Sequence, residues 1–260
     1  MNARRPQLRL THHGAVASIA LARTRAREAR VPDLLLDLCV ALEEIGRRAE
    51  TRAIVLAADG EAFAIGSDLR RLTHETSGEA LETYSAEFVG LLNQAILALL
   101  KSPQPVVAAV KGAVTGGAIG LVLASDVVIA GDSAVFRAQS VAAGLTPDGG
   151  WTALLPRLVG GRRAAACLLL DRAVPAADAL MWGLVTEVVP DAQVEQAARD
   201  AAGRIAAAPV NAIREGKRLL AADLDQVERA LEAERRSFVA AIGQAETRAH
   251  VARFLQASDS

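Results

Sequence analysis

Two short apolar runs, each followed by a loop of small residues that opens a helix, constrain this chain more than any other feature. Ala53 to Ala58 reads as a buried strand and leads through the loop 59–67 into Asp68-Leu69. Pro105 to Val110 reads as another, followed by the glycine-rich turn Gly112 to Gly117 at the head of a small-residue helix. Strands that carry apolar residues continuously, without alternation, are buried on both faces. With Asp126 to Ala130 as a third such strand, and helical stretches between them, the pattern predicts an α/β core built on parallel strands.

The flanking segments fit that core. Gln7 to Thr11 and Ala15 to Leu21 read as two strands joined by a turn at His13-Gly14. The arginine-rich Arg23 to Arg30 reads as a loop. Leu34, Leu38, Leu42 and Ile45 recur at helical spacing from Asp33 to Ala49, with Asp33 as the expected N-cap. Glu79 to Leu100 is a long periodic helix that ends at Ser102-Pro103. Beyond about residue 200 only helices are expected. The chain therefore divides into an α/β core over 1–200 and a helical C-terminal subdomain over 201–260, with Ala206 to Pro209 as a helix break.

Composition narrows the partners. A net charge of −1 over 260 residues offers no general attraction to nucleic acid or anionic membrane. Only Lys101, Lys111 and Lys217 among the 29 basic residues are lysines, and no basic run forms a patch. Cys39 and Cys167 are too far apart for a disulfide framework and sit in apolar helical patterns as free thiols. No metal-ligand spacing is present, so no metal is expected. The N-terminus has no apolar h-region and no uncharged apolar stretch is long enough to span a bilayer, which leads to an expectation of a soluble, cytoplasmic protein.

The chemistry is concentrated in two segments: Ala62 to Leu69, and Pro105 to Gly120 with its Gly116-Gly117 pair. In each, small residues let the backbone approach a ligand where a helix begins. The first N–H groups of a helix have no intrahelical partner and carry partial positive charge, which suits an anionic oxygen. Glycine there removes the Cβ that would block the approach. Alone, a Gly-Gly before a helix signals close helix–strand packing as readily as a site. It is neither a Walker A loop, since no GK[ST] follows, nor a GxGxxG fingerprint.

The two segments in this order, together with Leu21 to Leu34, Gly144 to Gly160, and Ala179 to Val189 with its Trp182-Gly183-Leu184-Val185, resemble the enoyl-CoA hydratase/isomerase (crotonase) family over nearly the whole chain. The resemblance implies a ClpP/crotonase-like spiral of ββα units, with C-terminal helices used in assembly of a trimer or a dimer of trimers. It implies an acyl-CoA substrate with coenzyme A as part of it, and no permanently bound cofactor. It makes the backbone N–H groups of Ser67 and Gly117 the oxyanion hole for the thioester carbonyl. Fixed donors at that point would stabilise an enolate without reorganising. Asp68 is expected to be structural. By the same resemblance the backbone of Ala64 and Gly66 would meet the adenine and Arg25 or Arg27 the phosphates, with Gly116 and Ser140 also in the substrate- and CoA-binding set. A solvated arginine loop explains Arg25 and Arg27 equally well. The family's Arg-Pro...Asn-Ala signature has become Arg23 to Ala29 here.

The reaction is read from carboxylates. Family hydratases use two glutamates to activate water; their positions fall at Gly120 and Ser140, so both acids are missing. Asp148, in Gly144 to Trp151, matches the Pro-Asp-x-Gly-Gly loop in which family isomerases carry a proton-shuttling aspartate, with Trp151 displacing the second glycine of that pair. It could equally cap a helix beginning at Gly149. The favoured expectation is an enoyl-CoA double-bond isomerase using Asp148. The alternatives are a hydratase with replaced acids, a thioester hydrolase or decarboxylase, and a non-catalytic CoA-binding trimer. His74 and Tyr84 follow the first segment, where a lone His is more often a surface residue. His12, His13 and His250 fall outside every motif. Trp182 reads as core. Lys217 reads as a solvated helix face, although by family analogy it and Phe254 could reach a neighbouring subunit's CoA.

Overall fold

The computed structural model describes residues 7–21, 31–65, 79–221 and 223–258. The chain forms β1 (Leu8–His13), β2 (Val16–Leu21), α1 (Val31–Arg47), β3 (Ala53–Ala58), β4 (Ala64–Ile65) and α2 (Glu79–Lys101). It continues with β5 (Val106–Val110), β6 (Ala113–Thr115), a 3-10 turn over Gly116–Ala118, α3 (Ile119–Leu123), β7 (Val127–Gly131) and β8 (Val135–Arg137). The remainder is α4 (Leu155–Val159), α5 (Gly161–Leu169), β9 (Val174–Pro175), α6 (Ala176–Trp182), β10 (Glu187–Val189), α7 (Val194–Ala207), α8 (Val210–Leu220), α9 (Leu224–Ile242) and α10 (Ala245–Ser258).

One sheet runs in the order β1-β2-β3-β5-β7-β10. Its β1–β2 hairpin is antiparallel, and every later pairing is parallel. Period-two alternation then splits the apolar runs between two cores. Ile54, Leu56, Val106, Ala108 and Val110 face the cluster shared with α1 and α2, while Ala53, Val55, Val107, Ala109 and Ile129 face α7. Small side chains on that second face let α7 lie close, through Ala198, Ala201 and Ala202. The parallel sheet buried on both sides that the apolar runs predict is therefore present.

A second sheet, β4-β6-β8-β9, is made of strands of two or three residues. Strands this short carry no periodicity, and the sequence reading assigned none of them. They give the chain its repeat. Each turn places one strand in the large sheet and the next in the small one: β3 then β4 before α2, β5 then β6 before α3, β7 then β8. This is the expected spiral of ββα units.

Three expectations are corrected. Asp33 lies inside the first turn of α1 and does not cap it. Residue 200 falls in the middle of α7, which belongs to the sheet's second core, and Val227, Leu231, Phe238 and Ile242 of α9 sit in the main core. The C-terminal helices thus share the core of the preceding fold. Lys217 is not solvated: its side chain is 10% exposed and donates to Asp126 Oδ2 at 2.8 Å, to Gln104 O at 3.0 Å and to Leu99 O at 3.4 Å. Because the same Asp126 oxygen accepts from the Val106 N–H at 2.7 Å, α8 is pinned to the entrance of β5.

Helix α2 is long and apolar enough to cross a bilayer by length and composition. Here Leu81, Phe88, Val89, Leu92, Ala95, Ile96 and Leu99 form its buried face, packed between α1 and α9. Cys39 and Cys167 are free thiols, and burial raises the pKa of both. Replacing Lys217 by Met should remove the charged donor from Asp126 and from the Gln104 and Leu99 carbonyls, leaving Asp126 Oδ2 only the Val106 N–H, and cost about 1–3 kcal/mol. Urea denaturation checks this.

Candidate active site

The turn from β6 into the 3-10 helix brings Gly116 and Gly117 to the end of a strand, where the backbone changes direction with Gly116 at φ +59°. Thr115 precedes the helix in extended conformation and provides no side-chain cap. Gly117 is buried in the first turn, so its N–H has no acceptor within the helix.

Asp148 arrives from a different part of the chain. After β8 a tight turn closes with Ala143 N–H on Gln139 O and Leu145 N–H on Ser140 O. Pro147-Asp148 then leads into Gly149 and Gly150, both at positive φ (+71° and +89°). No helix begins at Gly149. The residues that follow form turns until α4 starts at Leu155. The helix-cap reading of Asp148 therefore fails, because two consecutive glycines in left-handed conformation carry the chain away from a helical path.

The two segments meet backbone to backbone. A Cβ on Gly149 would collide with Gly117 Cα and O, and one on Gly117 would stand 2.5 Å from Asp148 Oδ2 and 2.8 Å from Leu92 Cδ2. Asp148 thus lies directly against the Gly117 backbone, 6% exposed. Its pKa is pushed up to about 7, first by burial and then by the nearby Glu234 charge, with a bond to its own backbone N–H acting in the opposite direction. A carboxyl group with that affinity can take up and release a proton near neutral pH.

Neighbouring side chains decide what else fits. At Gly120 a Cβ would collide with Ile96 Cδ1 and with Gly149 O. The position at which a hydratase would carry its first glutamate is filled by an isoleucine and a backbone carbonyl. Ser140, at the position of the second, is 8% exposed and its Oγ has no hydrogen-bond partner. Trp151, fully buried, donates from Nε1 to Gly116 O at 2.9 Å and ties the two segments together.

Several expected site residues lie outside the described residues: Arg25, Arg27, Gly66, Ser67 and His74. Ala64 is in β4 and pairs with Val114 of β6, one strand away from the Gly116 turn. Tyr84 and Phe254 are half-buried against the main core. Trp182 is buried at the end of α6, with the guanidinium groups of Arg163 and Arg172 5.3 and 4.9 Å from its ring centre. Among the described residues no group of three His, Cys, Asp or Glu side chains comes together as a metal site. His250, outside every motif, packs against Gly144 with Nε2 3.1 Å from Ala142 O. The reading also missed Ile96, Leu92 and Glu234. The first two looked like any other apolar position of a core helix. Glu234 lies in a charged helical stretch beside Glu232, Arg235 and Arg236, and nothing in that pattern marks it as buried.

A profile of the enoyl-CoA hydratase/isomerase family matches residues 11–259. A relative named "Probable enoyl-CoA hydratase echA12" from Mycobacterium bovis is 36% identical over 218 residues, 81% of this chain and 75% of that protein. The 1,2-epoxyphenylacetyl-CoA isomerase of Escherichia coli is 31% identical over 194 residues, 75% of this chain and 74% of that protein. Among solved structures, a monofunctional enoyl CoA isomerase from M. smegmatis superposes with a TM-score of 0.69 at 31% identity, covering 85% of this chain and 95% of that one. The fold and the match define a crotonase-type α/β enzyme. The chain belongs to the enoyl-CoA hydratase/isomerase family.

The raised Asp148 pKa has a consequence for stability. The folded-state value of about 7 lies above the ordinary 3.8, so the ionised carboxylate opposes folding. That cost is absent below the ordinary pKa, grows as pH rises toward 7 and is constant above it. Asp148→Asn should therefore stabilise the fold by up to about 4 kcal/mol above neutral pH and by little near pH 4. Thermal unfolding of both proteins at the two pH values reads the difference.

Proposed function

We propose that the chain is an acyl-CoA enzyme that moves a carbon–carbon double bond, an enoyl-CoA isomerase in which Asp148 carries the proton. The observation that supports this reading best is the placement of one buried carboxyl group, with a pKa near 7, against the Gly117 backbone. The thioester carbonyl oxygen would accept from the N–H groups of Gly117 and Ser67. As a carboxylate, Asp148 removes a proton from Cα of a 3-enoyl thioester. The electron pair spreads through the double bond onto the thioester oxygen, where fixed donors stabilise the charge. The same carboxyl, now protonated, returns the proton at Cγ and leaves the conjugated 2-enoyl thioester. One group that gains and loses the same proton suffices, and no water is consumed.

Hydration is the less favoured reaction on steric grounds. Two acids are needed to position and activate water, and the first position is occupied by Ile96 and Gly149 O. Arg25 and Arg27 as phosphate contacts, with Ala64, Gly66, Gly116 and Ser140 along the ligand, belong to the same proposal, as does coenzyme A entering only as part of the substrate. We further propose a homotrimer or a dimer of trimers in the cytoplasm. Leu169, Leu170 and Met181 at the ends of α5 and α6, each more than two-thirds exposed, are apolar surface that an assembly would cover.

Purified protein should convert 3-enoyl-CoA to 2-enoyl-CoA with kcat/KM rising through about pH 7 as Asp148 ionises, and should hydrate 2-enoyl-CoA slowly or not at all. Asp148→Asn should lower isomerisation by about 10²–10⁴-fold; full activity in that variant removes the reading. Tight acyl-CoA binding with no turnover of any thioester would point instead to a binding protein, and release of free CoA to a hydrolase. Gly120→Glu should not install hydration. Its Cβ meets the Gly149 backbone, so it should lower stability by about 1–3 kcal/mol, seen as a fall in Tm.

A further inference from the structure

Glu234 is the second carboxylate of this region. It is 5% exposed on α9, a helix that pairs several other charged side chains outside the core: Arg235 and Arg236 with Glu232, and Glu228 with Lys101. Among the described residues no lysine or arginine pairs with Glu234. Its oxygens instead accept from the Gly150 N–H at 2.7 Å, the Thr152 N–H at 2.7 Å, the Ala153 N–H at 3.1 Å and the Thr152 hydroxyl. A buried carboxylate is costly unless its lone pairs are filled, and four donors from one short turn fill them.

The turn is the one that Asp148 enters. Its Gly149 rests on the Gly117 backbone, and its Trp151 indole holds Gly116 O. Without Glu234, the buried N–H groups of Gly150 and Ala153 and the part-buried N–H of Thr152 would lose this acceptor. We propose that Glu234 is a positioning residue of the site: from α9 its carboxylate gathers the turn 150–153 and so holds Asp148 against the Gly117 segment. The last third of the chain then takes part in the chemistry although it supplies no reacting atom. That role rests on Asp148 being the proton carrier.

Glu234 makes no hydrogen bond to Asp148 but acts on it through charge. The Gly117 backbone lies against the Asp148 carboxyl, with Leu92 of α2 beside the same point, and neither carries a charge. Glu234 is the one charged side chain that raises the Asp148 pKa. Glu234→Gln removes the charge and turns one of the two acceptor oxygens into a donor, so it acts on charge and clamp together, whereas Thr152→Val removes one donor and keeps the charge.

The test follows the Asp148 carboxyl carbon by ¹³C NMR in aspartate-labelled protein across neutral pH, with Asp148→Asn assigning the signal. Amide exchange at Gly150, Thr152 and Ala153 and the kinetics with 3-enoyl-CoA are measured alongside. In Glu234→Gln the protonation midpoint should move to lower pH and the acid limb of kcat/KM should move with it. The three amides should exchange about tenfold faster, the loss expected for one charged hydrogen bond. In Thr152→Val the midpoint should not fall, while kcat should drop several-fold with KM unchanged. An unmoved midpoint and unmoved exchange in Glu234→Gln would overturn the proposal. If Glu234→Gln does not fold, an unchanged kcat in Thr152→Val overturns it instead. The carboxyl titration and the exchange need no turnover, so wild-type protein that fails to isomerise 3-enoyl-CoA would remove the isomerase reading and leave the Glu234 result standing.

Discussion

The backbone of Gly149 pressed against the backbone of Gly117 is the contact on which the site depends. Two segments separated by thirty residues of spiral can approach so closely only because neither carries a Cβ at the point of contact. That approach places the Asp148 carboxyl beside Gly117, brings Gly149 O over Gly120 and lets the Trp151 indole reach Gly116 O. A methyl group at either glycine would force the two segments apart and move the carboxyl away from Gly117. The spiral supplies the two segments: the small sheet delivers β6 to the Gly116 turn, and the long excursion after β8 delivers the second.

Burial then gives this geometry its chemistry. An aspartate on the surface is ionised at neutral pH and is a weak base. Desolvation at Asp148, helped by a second buried carboxylate, brings its proton affinity to the range in which it can both accept and donate. The two carboxylates differ in their surroundings. Glu234 meets four donors, while Asp148 meets an apolar leucine and glycine backbone. One carboxyl is thereby held within a hydrogen-bonded turn, and the other is left poised to exchange a proton. The same packing fills the space at Gly120, where a Cβ would meet Ile96 and Gly149 O.

Much of the fold was legible in the chain because the signals are local. The runs 53–58 and 105–110 read as strands buried on both faces and the period of 79–100 as a helix, and the elements formed are 53–58, 106–110 and 79–101. The small sheet was not legible, since strands of two or three residues have no period and exist only where a neighbour is supplied. The boundary at residue 200 failed for a related reason. Helical periodicity shows that α7 and α9 are amphipathic but not which surface covers them, and the covering surface is the core of the spiral itself. Lys217 was misread in the same way: its stem and charge look solvated until α8 docks on the start of β5.

What the sequence by itself determined is the strand–turn–helix grammar and the two glycine-bearing segments; the resemblance to the family marked positions 120 and 140 as lacking acids and 148 as the remaining carboxyl group. These are statements about residue type and spacing along the backbone. Only the tertiary structure decided that Asp148 does not cap a helix, that Ile96 closes the space at Gly120, and that Glu234, 84 residues beyond Gly150, holds the turn together. The physical reason is that a side chain's proton affinity and a cavity's size depend on what packs against them. The partners that matter here lie on helices whose sequence records only that one face is apolar.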